Sequence, residues 1–274
     1  MNVSDSQRIA SKLEELGYTS APEKEADLVI VNACSVRQSA VDRIWGKIKN
    51  WQEFGKKILI TGCVLPVDNR KLHEKGVLFF NIKNLRKLPE ILKQNYHTTE
   101  YDSFAPNTSL AYFNIKPAIS TRIAYIPIMT GCDNYCSYCA VPYTRGREVS
   151  RPMKDVVSNI KQAINDGFKE ILLLGQNVNS YKIQNAKIKV QNENSKFKID
   201  NADFVKLLKK IDDLSGDFKF NFISSNPHDM SDELIECFAG LKKWPRELHL
   251  PLQSGDDKIL RKMNRRYNSK QYLN

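Results

Sequence analysis

No apolar run in this 274-residue sequence approaches the length that a bilayer span requires. Its first stretch, MNVSDSQRIASKLEE, also lacks the charged-then-apolar order of a secretory signal. The two absences predict a soluble cytoplasmic protein with no membrane partner. Cysteine is sparse at six residues, and in a reducing compartment such a set does not staple a disulfide scaffold. No repeat of solenoid type runs through the chain. Acidic residues are outnumbered: 31 Asp and Glu against 42 Lys and Arg leave a net charge of +11. That excess favours a polyanionic partner, although a solvated lysine-rich surface gives the same balance.

What is present is an ordinary globular composition over a length that allows one or two domains. Ser4 is placed to cap a helix whose apolar positions Ile9, Leu13 and Leu16 keep helical spacing up to Gly17. ADLVIVNAC, KKILITGC and VLFFNI read as short strands buried on both faces. A helix through Val41, Ile44, Trp45 and Ile48 separates the first two, and NLRKLPEILKQ closes the series. The alternation predicts a three-layer, parallel-sheet α/β domain over residues 1–95. It opens on a helix where such a unit usually opens on a strand, so the chain is expected to lack its first strand.

Residues 96–121 lose the periodicity and read as a linker. From 122 to 274 the stretches RIAYIPIMTG, KEILLLGQN, FKFNFISSNP and ELHLPLQSG read as strands alternating with helices. Four β/α units predict part of a barrel, with its working face at the carboxyl ends of the strands. YKIQNAKIKVQNENSKFKID interrupts one unit and reads as a surface insertion.

Three of the six cysteines, Cys132, Cys136 and Cys139, fall within eight residues as C-x3-C-x2-C at the end of a strand. Thiolates suit zinc or iron–sulfur clusters. A structural zinc site wants a fourth Cys or His, and none occurs between Asp133 and His228. A [4Fe–4S] cluster held by three thiolates instead leaves one iron open to chelate a cofactor. Two further cysteines, Cys34 and Cys63, each end an apolar strand, where a parallel sheet places ligand contacts. A single buried cysteine is more often a small hydrophobe, but two at equivalent strand ends favour ligation. Cys237, at helical spacing among Leu234, Ile235 and Phe238, reads as core.

The motifs MNVSDSQRIA, NACSVRQSA, ITGC, the cysteine loop with VPYTRGREVSRP, LLGQNVNSY, SSNPHDMSDELI and HLPLQSGDDKILRKMNRRY run through nearly the whole chain. In them the chain resembles the radical S-adenosylmethionine methylthiotransferase family, and VPYTRGREVSRP resembles its branch acting on isopentenyladenosine in tRNA. The resemblance implies a methylthiotransferase α/β domain followed by a radical-SAM barrel. Cys132, Cys136 and Cys139 would be the catalytic cluster ligands, with Tyr138 as the family's usual aromatic before the last cysteine. It implies two [4Fe–4S] clusters, the auxiliary one on Cys34, Cys63 and a cysteine just before the segment resembling MNVSDS. That cysteine is absent here, so the auxiliary cluster is expected to lack one ligand in this chain.

Gly175 and Gln176 are implied to meet the methionyl part of S-adenosylmethionine, although an ordinary tight turn reads the same way. Ser224 and Gln253 end the third and fourth barrel strands, where barrel enzymes place ligand contacts. Arg145, Arg147 and Arg151, and a second basic group at Lys258, Arg261, Lys262, Arg265 and Arg266, are placed to meet tRNA phosphates, although solvated charge on a helix reads the second group equally well.

The implied reaction uses two S-adenosylmethionine molecules, one as methyl donor to sulfur and one cleaved reductively to a 5′-deoxyadenosyl radical. The product carries methylthio at C2 of N6-isopentenyladenosine, position 37, beside the anticodon. Implied partners are tRNA, a sulfur donor and a reductant such as flavodoxin or ferredoxin. The same family also acts on threonylcarbamoyl-adenosine of tRNA and on a ribosomal-protein aspartate. Against the family's six-unit barrel and C-terminal RNA-binding domain, the chain is expected to be truncated at both ends. An inactive fragment is therefore a further alternative, as is a non-catalytic metal-containing RNA-binding protein.

Overall fold

The computed structural model describes residues 1–34, 38–93, 110–118, 122–183 and 201–274. The proposed insertion falls mostly outside them, in 184–200, as does most of the proposed linker. The chain divides into two units, Met1–Ser120 with Cys139–Gly146, and Thr121–Tyr138 with Arg147–Asn274. Among the described residues no helix is long and apolar enough to cross a membrane.

In the first unit, strands β1 (Leu28–Cys34), β2 (Lys57–Cys63) and β3 (Leu78–Phe79) form a parallel sheet in that order. Period-two alternation on two apolar strands gives the sheet two cores. Leu59 of β2, with Leu28 and Ile30 of β1, packs against α1 (Asn2–Glu15), α4 (Leu88–Lys93) and a 3₁₀ helix at Ile82–Lys87. Ile58 and Ile60, with Val29 and Val31, pack against Ile48 and Trp51 of α2 (Gln38–Glu53) and Leu72 of α3 (Pro66–Glu74). These are the three layers that the sequence predicts.

Several local expectations change. Helix α1 begins at Asn2, so Ser4 sits buried in its first turn and accepts from the Arg8 guanidinium instead of capping. At its other end Gly17 adopts φ +84°, and the Gly17 and Tyr18 amides return to Glu14 and Leu13, a Schellman closure. The single helix expected from NLRKLPEILKQ is two pieces, with Pro89 in the first turn of α4, where its missing N–H costs nothing. Leu110–Ala118, inside the expected linker, instead contributes Tyr112 and Phe113 to the first core.

In the second unit, β4 (Ile123–Pro127), β7 (Glu170–Leu174) and β8 (Lys219–Phe222) pair in parallel in chain order. They are linked through α6 (Met153–Asn165) and α7 (Ala202–Asp212), whose apolar faces Val156, Ile160 and Phe204, Leu208 cover the sheet. Between β4 and β7, strands β5 (Met129–Thr130) and β6 (Val149–Ser150) pair antiparallel, and α5 is Val141–Thr144. Helix α8 (Asp232–Gly240) adds Leu234, Phe238 and the buried Cys237 to this core, as the spacing predicts.

The fourth barrel strand, expected from ELHLPLQSG, does not form a ladder among the described residues. Pro251 lacks the N–H a central strand needs. The carbonyls of Leu250 and Leu252 are satisfied by side chains instead, accepting from the hydroxyls of Tyr272 (2.7 Å) and Tyr267 (2.8 Å). These tyrosines follow α9 (Asp257–Lys262), Tyr272 within α10 (Ser269–Leu273).

Candidate functional site

Strand β4 runs into the short β5, and the loop leaving β5 carries Cys132 and Cys136. The pairing of Thr130 with Val149 and of Met129 with Ser150 ties the two ends of residues 131–148 together, so the cysteine loop starts and finishes at one place on the sheet edge. Cys132 is buried, and burial pushes its thiol up to about 11. The Asn134 amide, donating to its sulfur at 3.4 Å, pulls the other way. Cys136 and Cys139 are half-buried, and Cys139 opens the segment that groups with the first unit.

None of the three is held in a disulfide, so the donor chemistry fits an open-sited [4Fe–4S] cluster. Among the described residues, however, no three Cys, His, Asp or Glu side chains are grouped to hold a metal ion.

Gly175, directly after β7, is required sterically. A Cβ there would lie 2.6 Å from Met129 Cγ, 3.0 Å from its sulfur and 3.1 Å from Val178 Cγ1. The next two side chains leave acceptors without donors: Gln176 Oε1 and Asn177 Oδ1 are buried and unpartnered. Ser224 and Gln253 both adopt φ +71°, a left-handed conformation that non-glycine residues take at a cost of about 1–3 kcal/mol and that clusters at functional sites. Ser224 donates its backbone N–H to His249 Nδ1 at 3.4 Å, and Gln253 Oε1 accepts from the Tyr138 hydroxyl at 3.0 Å. The structure thus brings Tyr138 and Gln253 together.

Sequence reasoning passed over a polar network beside these positions. Asn177 donates to Asp229 Oδ2 at 2.6 Å, and Ser180 donates to Glu148 Oε1 at 2.6 Å. Glu148 is the acidic residue of RGREVSRP; that stretch pointed to its arginines, and nothing in it shows that the carboxyl is drawn inward. Burial, reinforced by the nearby Asp229 and Asp133, raises Glu148 from an ordinary 4.5 to about 7. Between those values the folded chain holds a proton that the unfolded chain has released, so stability falls as pH rises through the window. Glu148→Gln is expected to flatten the decline in melting temperature between about pH 4.5 and about pH 7. Identical slopes in the two proteins would show that the carboxyl ionises normally.

In the first unit, β1 and β2 pair in register through to Cys34 against Cys63. The two sulfur-bearing residues are therefore direct neighbours at the carboxyl edge of the sheet. Beside them lies Arg145, one of the arginines expected at tRNA phosphates, and it is fully enclosed. Its guanidinium donates to Cys63 Sγ at 3.1 Å and to Asn2 Oδ1 at 2.9 Å, and it ion-pairs with Asp5 at 2.7 Å. Burial acts to lower its pKa, but Asp5 and Cys63 outweigh burial and raise it, so the group stays charged. Arg151 is also buried, donating to the Pro127 carbonyl and to Asn159 Oδ1 at 2.7 Å each. Neither guanidinium is available to RNA, and of the three arginines only Arg147 is exposed. In the second basic group Lys258, Arg261, Lys262 and Arg266 are exposed, whereas Arg265 is half-buried.

The description "Uncharacterized protein family UPF0004" matches residues 1–80, and "Radical SAM superfamily" matches residues 126–274. A protein of Geobacter sulfurreducens is 37% identical over all of this chain and 61% of its own length. One of Thermoanaerobacter sp. is 36% identical over all of this chain and 58% of its own. Both are named tRNA-2-methylthio-N(6)-dimethylallyladenosine synthase. The chain thus spans about three-fifths of the length of these curated relatives. Among solved structures, the radical S-adenosylmethionine methyltransferase TsrM of Kitasatospora setae, with tryptophan and a SAM analogue bound, superposes with a TM-score of 0.60. The match covers 98% of this chain and 60% of that one at 12% identity, a likeness of fold. With residues 126–274, more than half its length, matched by one family, the chain belongs to the radical SAM superfamily, whose members use a [4Fe–4S] cluster and S-adenosylmethionine.

Proposed function

We propose that this chain serves methylthiolation of tRNA, placing a methylthio group at C2 of N6-isopentenyladenosine 37 with the use of two S-adenosylmethionine molecules. The observation carrying this reading is the open three-cysteine motif at a strand end, in a chain alignable along its whole length with enzymes of that name. Cys132, Cys136 and Cys139 would hold the radical cluster. When bound, that cluster supplies the electron that splits S-adenosylmethionine into methionine and a 5′-deoxyadenosyl radical.

The chain's own residues bind and orient. Gly175 lets the end of β7 pack closely against Met129 and Val178, and Gln176 offers a buried acceptor beside it. Ser224, just past β8, and the hydrogen-bonded pair Tyr138 and Gln253 would supply the remaining polar surface. Arg147 and the exposed cations of α9 would meet phosphates, and a single-stranded anticodon loop lets the base be splayed out for reaction. Cys34 and Cys63 would be two ligands of an auxiliary cluster. Two thiolates do not by themselves hold a cubane. A sulfur donor and a flavodoxin- or ferredoxin-type reductant complete the scheme, in the cytoplasm.

Nucleoside analysis of tRNA from a strain deleted for this gene tests the reading. Isopentenyladenosine without its methylthio group is expected to accumulate. Unchanged methylthio-isopentenyladenosine, or loss of the threonylcarbamoyl derivative instead, would overturn it.

A further inference from the structure

Residues 131–139 form neither helix nor strand, yet their path is demanding, with Tyr135 in the left-handed region at φ +47°. The turn that ends α9 holds them. Asn264 Nδ2 donates to two successive carbonyls of the loop, Asn134 at 3.2 Å and Tyr135 at 2.9 Å. Ser137 donates its N–H to the Met263 carbonyl at 3.2 Å. The Arg265 guanidinium lies over the Tyr138 ring, 5.7 Å from its centroid, and donates to the Tyr138 hydroxyl. Three consecutive residues therefore grip positions 134, 135, 137 and 138, bracketing Cys136 from both sides.

Asparagine suits its place for two reasons. Its amide nitrogen carries two protons, one for each carbonyl, and it tolerates the φ of +56° found there better than most side chains do. An aspartate of the same shape would face two carbonyl oxygens with acceptors only.

We infer that Met263, Asn264 and Arg265 are positioning residues of the cysteine loop, setting the backbone on either side of Cys136 before any cluster is inserted. The inference rests on reading Cys132, Cys136 and Cys139 as cluster ligands. It concerns chain geometry, so it is measurable in the metal-free protein.

The test compares the full chain with Asn264→Gly, which keeps the left-handed turn and removes only the amide, and with Asn264→Asp. In the metal-free proteins, iodoacetamide labelling of each cysteine is followed by peptide mass spectrometry, with the core residue Cys237 as the internal monitor of folding. Cys136 is expected to label at least about fivefold faster in both variants, since each loses two hydrogen bonds and one alone accounts for about that factor, with Cys237 unchanged. After anaerobic reconstitution, iron is expected to leave the variants several-fold faster when a chelator is added, and the electron paramagnetic resonance signal of the reduced cluster to broaden. Equal Cys136 labelling in all three proteins overturns the inference, as does parallel acceleration at Cys237, which would mark general loosening. If the parent chain takes up no iron while Cys136 labelling still responds to Asn264, the positioning role stands and the cluster reading falls.

Discussion

Asp5→Ala is expected to destabilise the first unit by about 3–5 kcal/mol, the usual cost of removing one partner of a buried ion pair. The Arg145 and Asp5 side chains are only 2% and 0% exposed, so water cannot replace the lost carboxylate. Arg8, buried on the same helix and attracted to Asp5, would be left uncompensated as well. Against a typical domain stability of about 5–15 kcal/mol, this loss is large. Urea denaturation followed by circular dichroism would measure it. Asp5→Asn keeps the shape and an acceptor but not the charge, so it should fall between the parent and the alanine variant. The double change Asp5→Leu with Arg145→Met separates charge compensation from packing: partial recovery above Asp5→Ala is expected, because Arg145 is then no longer a lone buried ion and only Arg8 is left without its carboxylate. A midpoint for Asp5→Ala within error of the parent would show that the pair is solvated.

Gly62→Ala is expected to cost about 2–5 kcal/mol, combining overpacking with an unfavourable backbone conformation. Gly62 lies inside β2 at φ +98°, where a side chain is strained whatever the space around it. A Cβ there would also meet the Ala33 carbonyl and Asn32 Oδ1 at 2.4 Å and the Ala33 nitrogen at 2.9 Å. Two of those three atoms are backbone of the neighbouring strand, so a rotamer change cannot relieve the clash. The strands must part at the rung beside Cys34 and Cys63. The loss should appear as a lower denaturation midpoint and as faster hydrogen exchange at the ends of β1 and β2. Gly46, on α2 with open space around its Cβ position, provides the control, and alanine there should be neutral or slightly stabilising. Matching effects at both glycines would refute the steric argument.

These two positions show why part of the site was legible in the sequence and part was not. The paired cysteines were readable because each closes a continuous apolar run, and the pleat of a parallel sheet carries such ends to one edge. Glycine in KKILITGC offered no comparable signal, since its clash partners belong to another strand. The arginines of RGREVSRP were read as phosphate contacts because a cation in a polar stretch is solvated by default. Arg145 and Arg151 are instead enclosed by groups distant in sequence, Asp5 and Cys63 for one and the Pro127 carbonyl for the other. The fourth barrel strand failed for a local reason, Pro251, while its replacement by tyrosine hydroxyls was not local.

The sequence by itself determined the parallel α/β architecture, the two strand-end cysteines, and the three-thiol motif with its open ligand count. All of these follow from spacing along the chain, which folding does not alter. Tertiary structure alone decided which charges are buried, that Glu148 titrates near neutrality, and that the turn after α9 grips the cysteine loop. Those properties depend on desolvation and on hydrogen bonds between residues far apart in sequence. Both are set by what packs alongside a side chain, and composition and periodicity carry no record of it.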